Sequence, residues 1–490
     1  MTCPLGARQA GRGGKRDGAE RHPTQDVGRS SGPSTVIIKE DMMSSYQMKA
    51  REIILDDRFD VIVTGGGPAG CAAAIAAARE GARTLLLEAT GALGGMGTMG
   101  LVPAWCPFSD QEKIIYKGLA ETVFTRSKAG MPHVHPSALD WVPIDPEHLK
   151  RVYDDLVTAA GVTVLFNALV TGVEVKAAGQ VDVVLAASKA GLTAYRAAVF
   201  VDCSGDADVA AYAGADFEKG DAEHDLQPAT HCFILGNIDE YSYRHDAPLH
   251  GSNRKSIIFD IAASDEFPLI VDWHICNSLV GPRTVGFNAG HIWGVDNTKP
   301  ETVSAALIHG RKIAAQFREA LAKRAPKAFA NAHLAATAPL MGIRETRRII
   351  GDYYLVADDL RNMRSFADEI GRNCYYVDVH GKRRDANKTE PGAEHFCFPP
   401  GKSHGIPYRC LTPKGLKNVL VAGRCISTDR ATQGSTRVMP VCLVTGEAAG
   451  LAAALAAKAG GDIRGFAVSE LQARLTQHGA YLQPASAECG

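Results

Sequence analysis

Several features that mark particular protein classes are scarce or missing in this chain of 490 residues. The 53 lysines and arginines are balanced by 54 aspartates and glutamates, so a formal net charge of −1 gives no basic field for a phosphate backbone. Long apolar runs are also missing, because the candidates at 71–78 and 451–457 fall far short of the roughly 20 residues that span a membrane. We therefore expect no nucleic-acid partner and no membrane span.

The 12 cysteines are scattered, and the sequence contains no C-x-x-C pair. This spacing argues against zinc ribbons, thioredoxin-like dithiols and ferredoxin-type iron–sulfur sites, and we expect no metal centre. Single scattered cysteines are typical of reduced thiols. They favour a cytoplasmic protein.

Residues 1–50 differ in composition from the rest of the chain. They are rich in glycine, arginine and serine and have no apolar core of the kind that a secretory signal needs. We expect a disordered extension, or an upstream start codon chosen in place of Met42, Met43 or Met48. The remainder, in a chain that is 46% hydrophobic and 22% charged, is expected to be globular with two or three domains.

A β-α-β pattern opens the ordered chain at 59–88. A β-prone run ends at three glycines, Pro68 then begins an Ala-rich helix that stops at Gly81, and a second strand runs over 83–88. Further expected elements are a helix at 145–161 with Asp145 as its N-cap, an amphipathic helix at 301–325, a strand at 418–424 and an Ala-rich helix at 446–460.

These elements predict an α/β fold with a parallel sheet. A nucleotide-binding domain is assembled from 57–210 and 401–465, an α+β domain at 211–400 is inserted between its parts, and 466–490 form a C-terminal tail. No internal repeat of fixed period is evident.

The strongest motif is Gly65-x-Gly67-x-x-Gly70, followed by Glu88 at the end of the second strand. The first glycine permits a tight turn, the second lets a pyrophosphate approach the backbone, and the third lets helix and strand pack closely. Glu88 can accept hydrogen bonds from ribose hydroxyls. Because the motif follows a strand and opens a helix, it predicts dinucleotide binding.

A second glycine run, Gly91 to Gly97, follows Glu88 at once, and a nicotinamide dehydrogenase has no need of it. GGGPAG, LLLE with LGGMGT, VFVDCSGDAD and the C-terminal KNVLVAGRCIS with TGEAAGLAAALA resemble FAD-dependent oxidoreductases of the glutathione-reductase-like (GR2-type) superfamily. The likeness is to the bacterial family labelled FAD-dependent oxidoreductase and spans about 57–465. It implies FAD as the cofactor, a Rossmann-like FAD-binding domain and an inserted substrate or cap domain.

The resemblance also implies a set of cofactor-binding positions. In it Gly446 would begin the last helix at the flavin, and Arg424 replaces the aspartate usual after Gly423. The full set is Gly65, Gly67, Pro68, Ala69, Gly70, Glu88, Gly94, Gly95, Met96, Gly205, Asp206, Gly423, Arg424 and Gly446. Outside the glycine run after Glu88, where Gly95-x-Gly97-x-x-Gly100 matches the pattern without a strand of its own, no second G-x-G-x-x-G is present, and there is no C-x₄-C dithiol. The electron acceptor is therefore expected to be oxygen, a quinone or another protein.

Candidate catalytic residues are fewer and each has a structural alternative. His291 is the preferred general base, with Trp293 as an aromatic wall and Asp296 to orient its ring, and His231 is its alternative. Arg344 could bind an anionic or polyhydroxyl substrate, or belong to a face paired through Glu345. The remaining candidates precede the last helix and are Tyr408, Arg409 and Arg437.

Three functions are compatible with these residues. The first is an FAD-dependent dehydrogenase or oxidase acting on C–OH or C–NH of a small polar metabolite, for which a carbohydrate or polyol is one candidate. The second is a flavin-dependent C=C reductase with an arginine as proton donor, and the third is a flavin-carrying electron-transfer subunit of a larger complex. A homo-oligomer is compatible with each of them.

Overall fold

A computed structural model describes residues 45–177, 179–246, 248–382 and 396–483. The chain divides into two units, 1–52 and 53–490. Of the first unit, residues 45–52 are described, and they are exposed and lack regular structure. The expected extension therefore lies almost entirely outside the described residues, as do 484–490.

The described part of the second unit contains short strands and mostly short helices. The strands are β1 Ile54–Asp56, β2 Val61–Thr64, β3 Thr84–Leu87, β4 Thr163–Leu165, β5 Leu169–Ala177, β6 Gln180–Ser188, β7 Gly191–Arg196, β8 Val199–Asp202, β9 Phe217–Lys219, β10 Phe233–Gly236, β11 Ile275–Gly281, β12 Thr284–Ala289, β13 His333–Thr337, β14 Arg347–Ile349, β15 Glu369–Asn373, β16 His404–Pro407 and β17 Val419–Val421. The helices are α1 Pro68–Arg79, α2 Leu119–Ala129, α3 Pro146–Ala159, α4 Asp208–Tyr212, α5 Glu240–His245, α6 Ile258–Ala262, α7 Pro300–Arg324, α8 Pro326–Phe329, α9 Ala357–Arg361, α10 Arg430–Thr436, α11 Met439–Lys458 and α12 Val468–Gln477.

A five-stranded parallel sheet in the order β17-β8-β2-β3-β4 forms the centre of the fold. Every residue of β2, β3, β8 and β17 is buried, as expected for parallel strands that are covered on both faces. β17 comes from the C-terminal part of the chain and pairs with β8. This pairing confirms a Rossmann-like fold in which distant segments share one sheet.

Two Ala-rich helices, α1 and α11, pack closely against each other. A Cβ at Gly446 would lie 2.1 Å from the carbonyl oxygen of Ala69, and one at Gly450 would lie 2.0 Å from that of Ala73. The prediction that Gly446 begins the last helix is wrong, because α11 begins at Met439 with Pro440 in its first turn. Gly446 is a packing residue in the middle of that helix.

Residues from the middle of the chain form a second core around an antiparallel sheet. The sheet has the order β11-β12-β10-β13, and α7 packs on it. Phe233, Phe287 and Phe317 are the largest buried side chains at their contact. The buried residues of this core run from Ala229 to Ile343. A separate four-stranded sheet has the order β1-β7-β6-β5. In the sequence, its strands β5 to β7 lie between β4 and β8 of the parallel sheet.

Two chain segments show how well local signals predict structure. The carboxylate of Asp145 caps α3 as predicted, accepting the N–H groups of Glu147 and His148. Residues 466–483 are not the tail that was expected, because α12 buries Leu471 and Leu475 in the main core. The amphipathic spacing of these leucines was the signal for this helix.

One described helix, α11, is long and apolar enough to cross a membrane. Its 20 residues exceed the apolar runs identified from sequence, because the helix begins seven residues before Gly446. The whole apolar window is buried inside the protein. Such burial is typical of a core helix.

The side chain of Glu447 in α11 accepts a hydrogen bond from the first turn of another helix, α2. α2 follows Gly118, which has a φ of +69° and no side chain to cap the helix. The carboxylate of Glu447 instead accepts the N–H of Leu119 at 2.9 Å. Burial raises the pKa of Glu447 from 4.5 to about 7.

This shift predicts a pH-dependent contribution of Glu447 to stability. An acid whose pKa is raised in the folded state contributes fully to stability below its pKa in the unfolded state. That contribution is lost as the pH rises through its pKa in the folded state. Between pH 4.5 and 7, Glu447 should thus lower the free energy of unfolding by about 2–3 kcal/mol. Glu447→Gln keeps an acceptor and should remove this loss.

The measurement is urea unfolding at pH 5 and pH 8. Glu447→Gln should be more stable than the natural protein at pH 8 and nearly equal to it at pH 5. Glu470→Gln, on the exposed face of α12, is the matched control and should follow the natural protein at both pH values. Parallel curves for all three proteins would show that Glu447 ionises freely in the folded state.

Candidate functional site

The cofactor candidates lie where the parallel strands end. Gly65 follows β2, Glu88 follows β3, Gly205 and Asp206 follow β8, and Gly423 follows β17 within a few residues. Because these strands are parallel, their carboxyl ends share one edge of the sheet. Ligands of open α/β sheets bind at this edge.

The glycine fingerprint forms the turn between β2 and α1. Gly65 has a φ of +90°, and a Cβ there would lie 2.5 Å from the carbonyl oxygen of Cys203. A Cβ at Gly70 would lie 1.7 Å from the carbonyl oxygen of Gly65, so helix and strand approach too closely for any side chain. At Gly67, by contrast, a Cβ meets no atom of the described residues within 4 Å. A ligand can therefore reach the backbone at Gly67.

A second glycine loop, formed by Gly94 and Gly95, packs directly on the first. The N–H of Gly94 donates to the carbonyl of Gly66 at 2.8 Å, and a Cβ at Gly95 would lie 3.0 Å from the Cα of Gly67. The carboxylate of Glu88 accepts the N–H of Gly66 at 2.6 Å. These contacts join the two loops and the end of β3 into one surface.

Asp206 connects this edge of the sheet to later parts of the chain. Its carboxylate accepts from the guanidinium of Arg424 at 2.8 Å, from the amide of Asn297 at 2.5 Å and from the hydroxyl of Thr346. A Cβ at Gly205 would lie 2.8 Å from the Cζ of Arg424. The buried Nε of Arg424 has no partner among the described residues. It is a donor that an acidic group of a ligand can satisfy.

Three further cofactor candidates belong to the same region. Pro68 is the first residue of α1, and a Cβ at Gly423 would lie 3.2 Å from the Cβ of Ala69. Met96 lies in the short 3₁₀ turn Gly95–Gly97. With the exception of Gly446, the predicted cofactor positions thus lie in or beside the loops at the carboxyl edge of the sheet.

Three histidines and two aspartates meet in the middle part of the chain. Nε2 of His291 lies 2.7 Å from Nδ1 of His380, and its ring stacks on that of His274 with centroids 4.2 Å apart. Asp272 accepts from Nδ1 of His291 at 2.9 Å. A carboxylate oxygen of Asp378 lies 3.4 Å from Nε2 of His380. We refer to these five residues as the histidine cluster.

Both aspartates of the histidine cluster belong to a D-x-H triplet. Asp272 and His274 immediately precede β11, and Asp378 and His380 follow β15. In extended backbone, residues two positions apart face the same side. The sequence prediction considered single histidines and found only His291. The repeated triplet is the signal that would have identified the other four residues.

Burial keeps the imidazoles of the histidine cluster neutral near neutral pH. It lowers the pKa of His291 and His274 well below the usual value, and with help from Arg344 it lowers that of His380 to about 4. Burial also raises the pKa of Asp272, although its contact with His274 opposes the rise. Neutral imidazoles can accept a proton.

Arg437 connects the histidine cluster to the start of α11. Burial would raise the pKa of Asp378, but His380, Arg437 and Arg344 outweigh it and lower the pKa below its ordinary value. Arg437 donates to the carboxylate of Asp378 at 3.1 Å and to its carbonyl at 2.8 Å. It stands two residues before α11, and its buried Nε has no partner among the described residues.

Arg344 lies at the other end of the histidine cluster. Its guanidinium donates to Nε2 of His274 at 3.1 Å, to the hydroxyl of Thr230 at 2.9 Å and to the carbonyl of Pro228 at 2.7 Å. The alternative pairing through Glu345 applies to Arg348, which forms a buried ion pair with it. The segment that contains Arg344 and Arg348 is not helical, and Arg344 takes no part in the ion pair between Arg348 and Glu345.

One nitrogen of each of the three imidazoles lies within 4.8 Å of the other two, a separation at which a metal ion could be shared. The rings of His274 and His291 are nearly parallel, with an angle of 11° between their planes. Because the lone pair of an imidazole nitrogen lies in the ring plane, two stacked rings cannot both direct their lone pairs at one ion. Arg344 also places a cation beside His274. The arrangement favours a hydrogen-bonded group over a metal centre.

Two predicted catalytic residues lie elsewhere. The hydroxyl of Tyr408 donates to the carbonyl of Ile463 at 2.7 Å inside the core. Arg409 pairs with Asp368 at 2.9 Å, and 48% of its side chain is exposed. Both residues lie in the 3₁₀ turn Tyr408–Cys410 after β16, and neither forms a hydrogen bond or ion pair with a residue of the histidine cluster.

The structure also corrects the partner expected for His291. Asp296 pairs with Lys219 at 2.5 Å, and Asp272 orients the imidazole instead. Trp293 is the aromatic neighbour that was expected, with its ring centroid 5.4 Å from that of His291. His231, the alternative base, donates from Nε2 to the carbonyl of Ala338 at 2.8 Å and packs against Gly310 of α7.

Comparisons with known proteins identify a family and several similar solved structures. Residues 60–475 match a family model described as FAD dependent oxidoreductase. A geranylgeranyl bacteriochlorophyll reductase-like protein from Thermoplasma acidophilum is 14% identical over 87% of this chain and 84% of its own, with a TM-score of 0.44. The anhydrotetracycline hydroxylase OxyS from Streptomyces rimosus is 16% identical over 85% and 64%, with a TM-score of 0.39. The p-nitrophenol 4-monooxygenase PnpA from Pseudomonas putida is 12% identical over 86% and 84%, with a TM-score of 0.38.

Proposed function

Since this chain belongs to the family of FAD-dependent oxidoreductases, we propose that it oxidises a C–OH or C–NH bond of a small polar metabolite. The observation that carries the proposal is the hydrogen-bonded chain from Asp272 through His291 to His380. Removing a hydride from such a carbon requires a base for the O–H or N–H proton. The histidine cluster can supply that base.

The loops at the carboxyl edge of the sheet suit FAD. The open face at Gly67 leaves room for a pyrophosphate, and the unpartnered Nε of Arg424 offers it a buried donor. We assign the ribose to Glu88 and the ribityl side to the second glycine loop. When bound, FAD supplies the acceptor for the hydride.

The N-terminus of α11 supports the reduced state of the cofactor. Val438, the N-cap, offers no side-chain acceptor, so the first N–H groups of the helix are left for another partner. A helix N-terminus carries a partial positive charge and favours a nearby anion. This role replaces the one that was expected of Gly446.

We assign the proton path to His380 and His291 in sequence. Asp272 accepts the Nδ1–H of His291, so Nε2 of that ring is an acceptor. The proton enters at Nε2 of His380, and the Nδ1–H of His380 passes to Nε2 of His291 across 2.7 Å. The carboxylate of Asp272 then stabilises the imidazolium of His291.

An anaerobic screen tests the proposed reaction. The yellow holoenzyme is mixed with hydroxy acids, amino acids, polyols and amines, and loss of the oxidised-flavin absorbance is followed. We expect at least one alcohol or amine to bleach the flavin, after which oxygen, a quinone or a protein acceptor restores it. If only fumarate-like or enone-like compounds react, by reoxidising the dye-reduced enzyme, the protein is a C=C reductase and the proposal fails.

A further inference from the structure

Arg344 carries a buried charge and forms no ion pair with a carboxylate of the described residues. Among the described residues, three arginines are buried as whole residues, with exposures of 7% for Arg344, 2% for Arg348 and 4% for Arg372. Arg348 pairs with Glu345, and Arg372 pairs with Glu369 at 2.8 Å. Arg344 alone of these three contacts only neutral acceptors.

The neutral contacts orient the guanidinium without cancelling its charge. Thr230 and the carbonyl of Pro228 hold one nitrogen, while His274 and, at 3.5 Å, Asn288 hold the other. A buried ion without a counter-ion is costly, so protein interiors normally pair it. Keeping such a charge in the interior is typical of a site whose counter-ion is a ligand.

The nearby acidic groups are already engaged by other partners. Asp272 accepts the backbone N–H and the Nδ1–H of His291, together with the backbone N–H of His274. Asp378 is held by Arg437. Neither carboxylate forms an ion pair with Arg344, and its Nε–H makes no hydrogen bond within the described residues, so this donor remains available to an anion.

We infer that the substrate carries a carboxylate and that Arg344 binds it; this inference rests on the proposed oxidation. The Nε–H of Arg344 can donate to a carboxylate oxygen, and the charge of the guanidinium attracts the anion. A phosphate dianion would call for more cationic donors, and Arg437 is already committed to Asp378. The substrate class is therefore a small hydroxy acid or amino acid, held by Arg344 with its reacting carbon beside the histidine cluster.

The reaction balances for this class. For a hydroxy acid, the C–H bond breaks and its two electrons leave as a hydride to FAD. The O–H proton goes to the neutral imidazole pair of His380 and His291, and a C=O bond forms in the product. The carboxylate is not consumed. Arg344 is thus a binding residue and determines specificity.

Binding of non-reacting probes to the yellow holoenzyme tests the inference. Acetate and propionate are titrated against acetamide, propionamide and methyl phosphate, and perturbation of the flavin spectrum gives a Kd for each. We expect propionate to bind at least about 30-fold more tightly than propionamide, because the amide offers no charge. Equal affinities, tighter binding of methyl phosphate, or no perturbation by any carboxylate would overturn the inference.

Variants separate the charge of Arg344 from its structural contacts. Arg344→Gln should weaken the binding of propionate at least about 100-fold and change the Kd of propionamide by less than about threefold. Arg344→Lys should retain most of the preference for the carboxylate. Arg409→Gln, which removes an exposed and paired arginine, is the matched control and should change neither affinity. If Arg344→Gln loses FAD, the comparison of propionate with propionamide in the natural protein remains decisive. An unchanged carboxylate preference in Arg344→Gln would contradict the inference.

The outcome is distinguishable from failure of the proposed oxidation. If carboxylates bind through Arg344 but no alcohol or amine bleaches the flavin, the proposed reaction is wrong and the binding site stands. If neutral polyols bleach the flavin and carboxylates do not bind, the reaction stands and the assigned substrate class is wrong.

Discussion

Substitution of His291 by alanine should leave the protein yellow and slow substrate-driven flavin reduction by about 10²–10⁴-fold, the usual cost of losing a general base. His291 is the end of the proton path, since Asp272 holds its Nδ1 and His380 meets its Nε2. None of the loops assigned to FAD includes His291. Reduction of the flavin should therefore slow while the FAD content stays unchanged.

The pH dependence of the reduction rate gives a second readout. A protonated imidazole cannot accept the substrate proton, so the rate in the natural protein should decline only as the pH falls towards about 4, to which burial and Arg344 lower the pKa of His380. His380→Ala removes the titrating imidazole and should lose this dependence. Stopped-flow absorbance under anaerobic conditions measures the rate at each pH.

Two further variants control for this result. His245→Ala removes an exposed imidazole from α5 and should react at the natural rate. Asp272→Asn retains the shape of the side chain but weakens its hold on the Nδ1–H, so the flavin reduction rate should fall with little change in substrate affinity. An undiminished rate of flavin reduction in His291→Ala would show that His291 is not required for proton transfer. His380 would then be the remaining candidate for the base.

The sequence predicted the sheet more accurately than the site. The turn from β2 into α1 is encoded locally, because a β-prone run, three glycines and a proline act within ten residues. The Asp145 cap is equally local. The start of α11 was missed because the run before Gly446 contains β-prone residues and a proline, and only burial on all sides makes it helical.

The histidine cluster could not be derived from local patterns in the same way. Its residues come from three separate segments, and their contacts depend on how the antiparallel sheet packs against the segment after β15. His291, Arg344 and Arg437 were identified by residue type. The acid that orients His291 is Asp272, which lies 19 residues earlier in the sequence. Asp296 is nearer in the sequence, but it pairs with Lys219.

Gly67→Val should purify as a folded but colourless protein. Gly67 has φ −69° and ψ −174°, an extended conformation that valine adopts without strain. Its missing Cβ faces open space, so the protein fold itself does not require a glycine there. The requirement comes from FAD, since a branched side chain would fill the space assigned to the pyrophosphate. The absorbance ratio of flavin to protein, with the thermal midpoint as a check on folding, measures the effect.

Gly172→Val provides the matched control for this prediction. Gly172 lies in β5, and a Cβ there meets only the Leu185 side chain at an ordinary 3.8 Å, so the variant should keep both its colour and its thermal midpoint. Gly70→Val would be uninformative, because its Cβ would strike the backbone of Gly65 and unfold the turn. The contrast between Gly67 and Gly70 separates glycines that the ligand requires from those that packing requires. A folded Gly67→Val protein with stoichiometric FAD would mean that the pyrophosphate lies elsewhere.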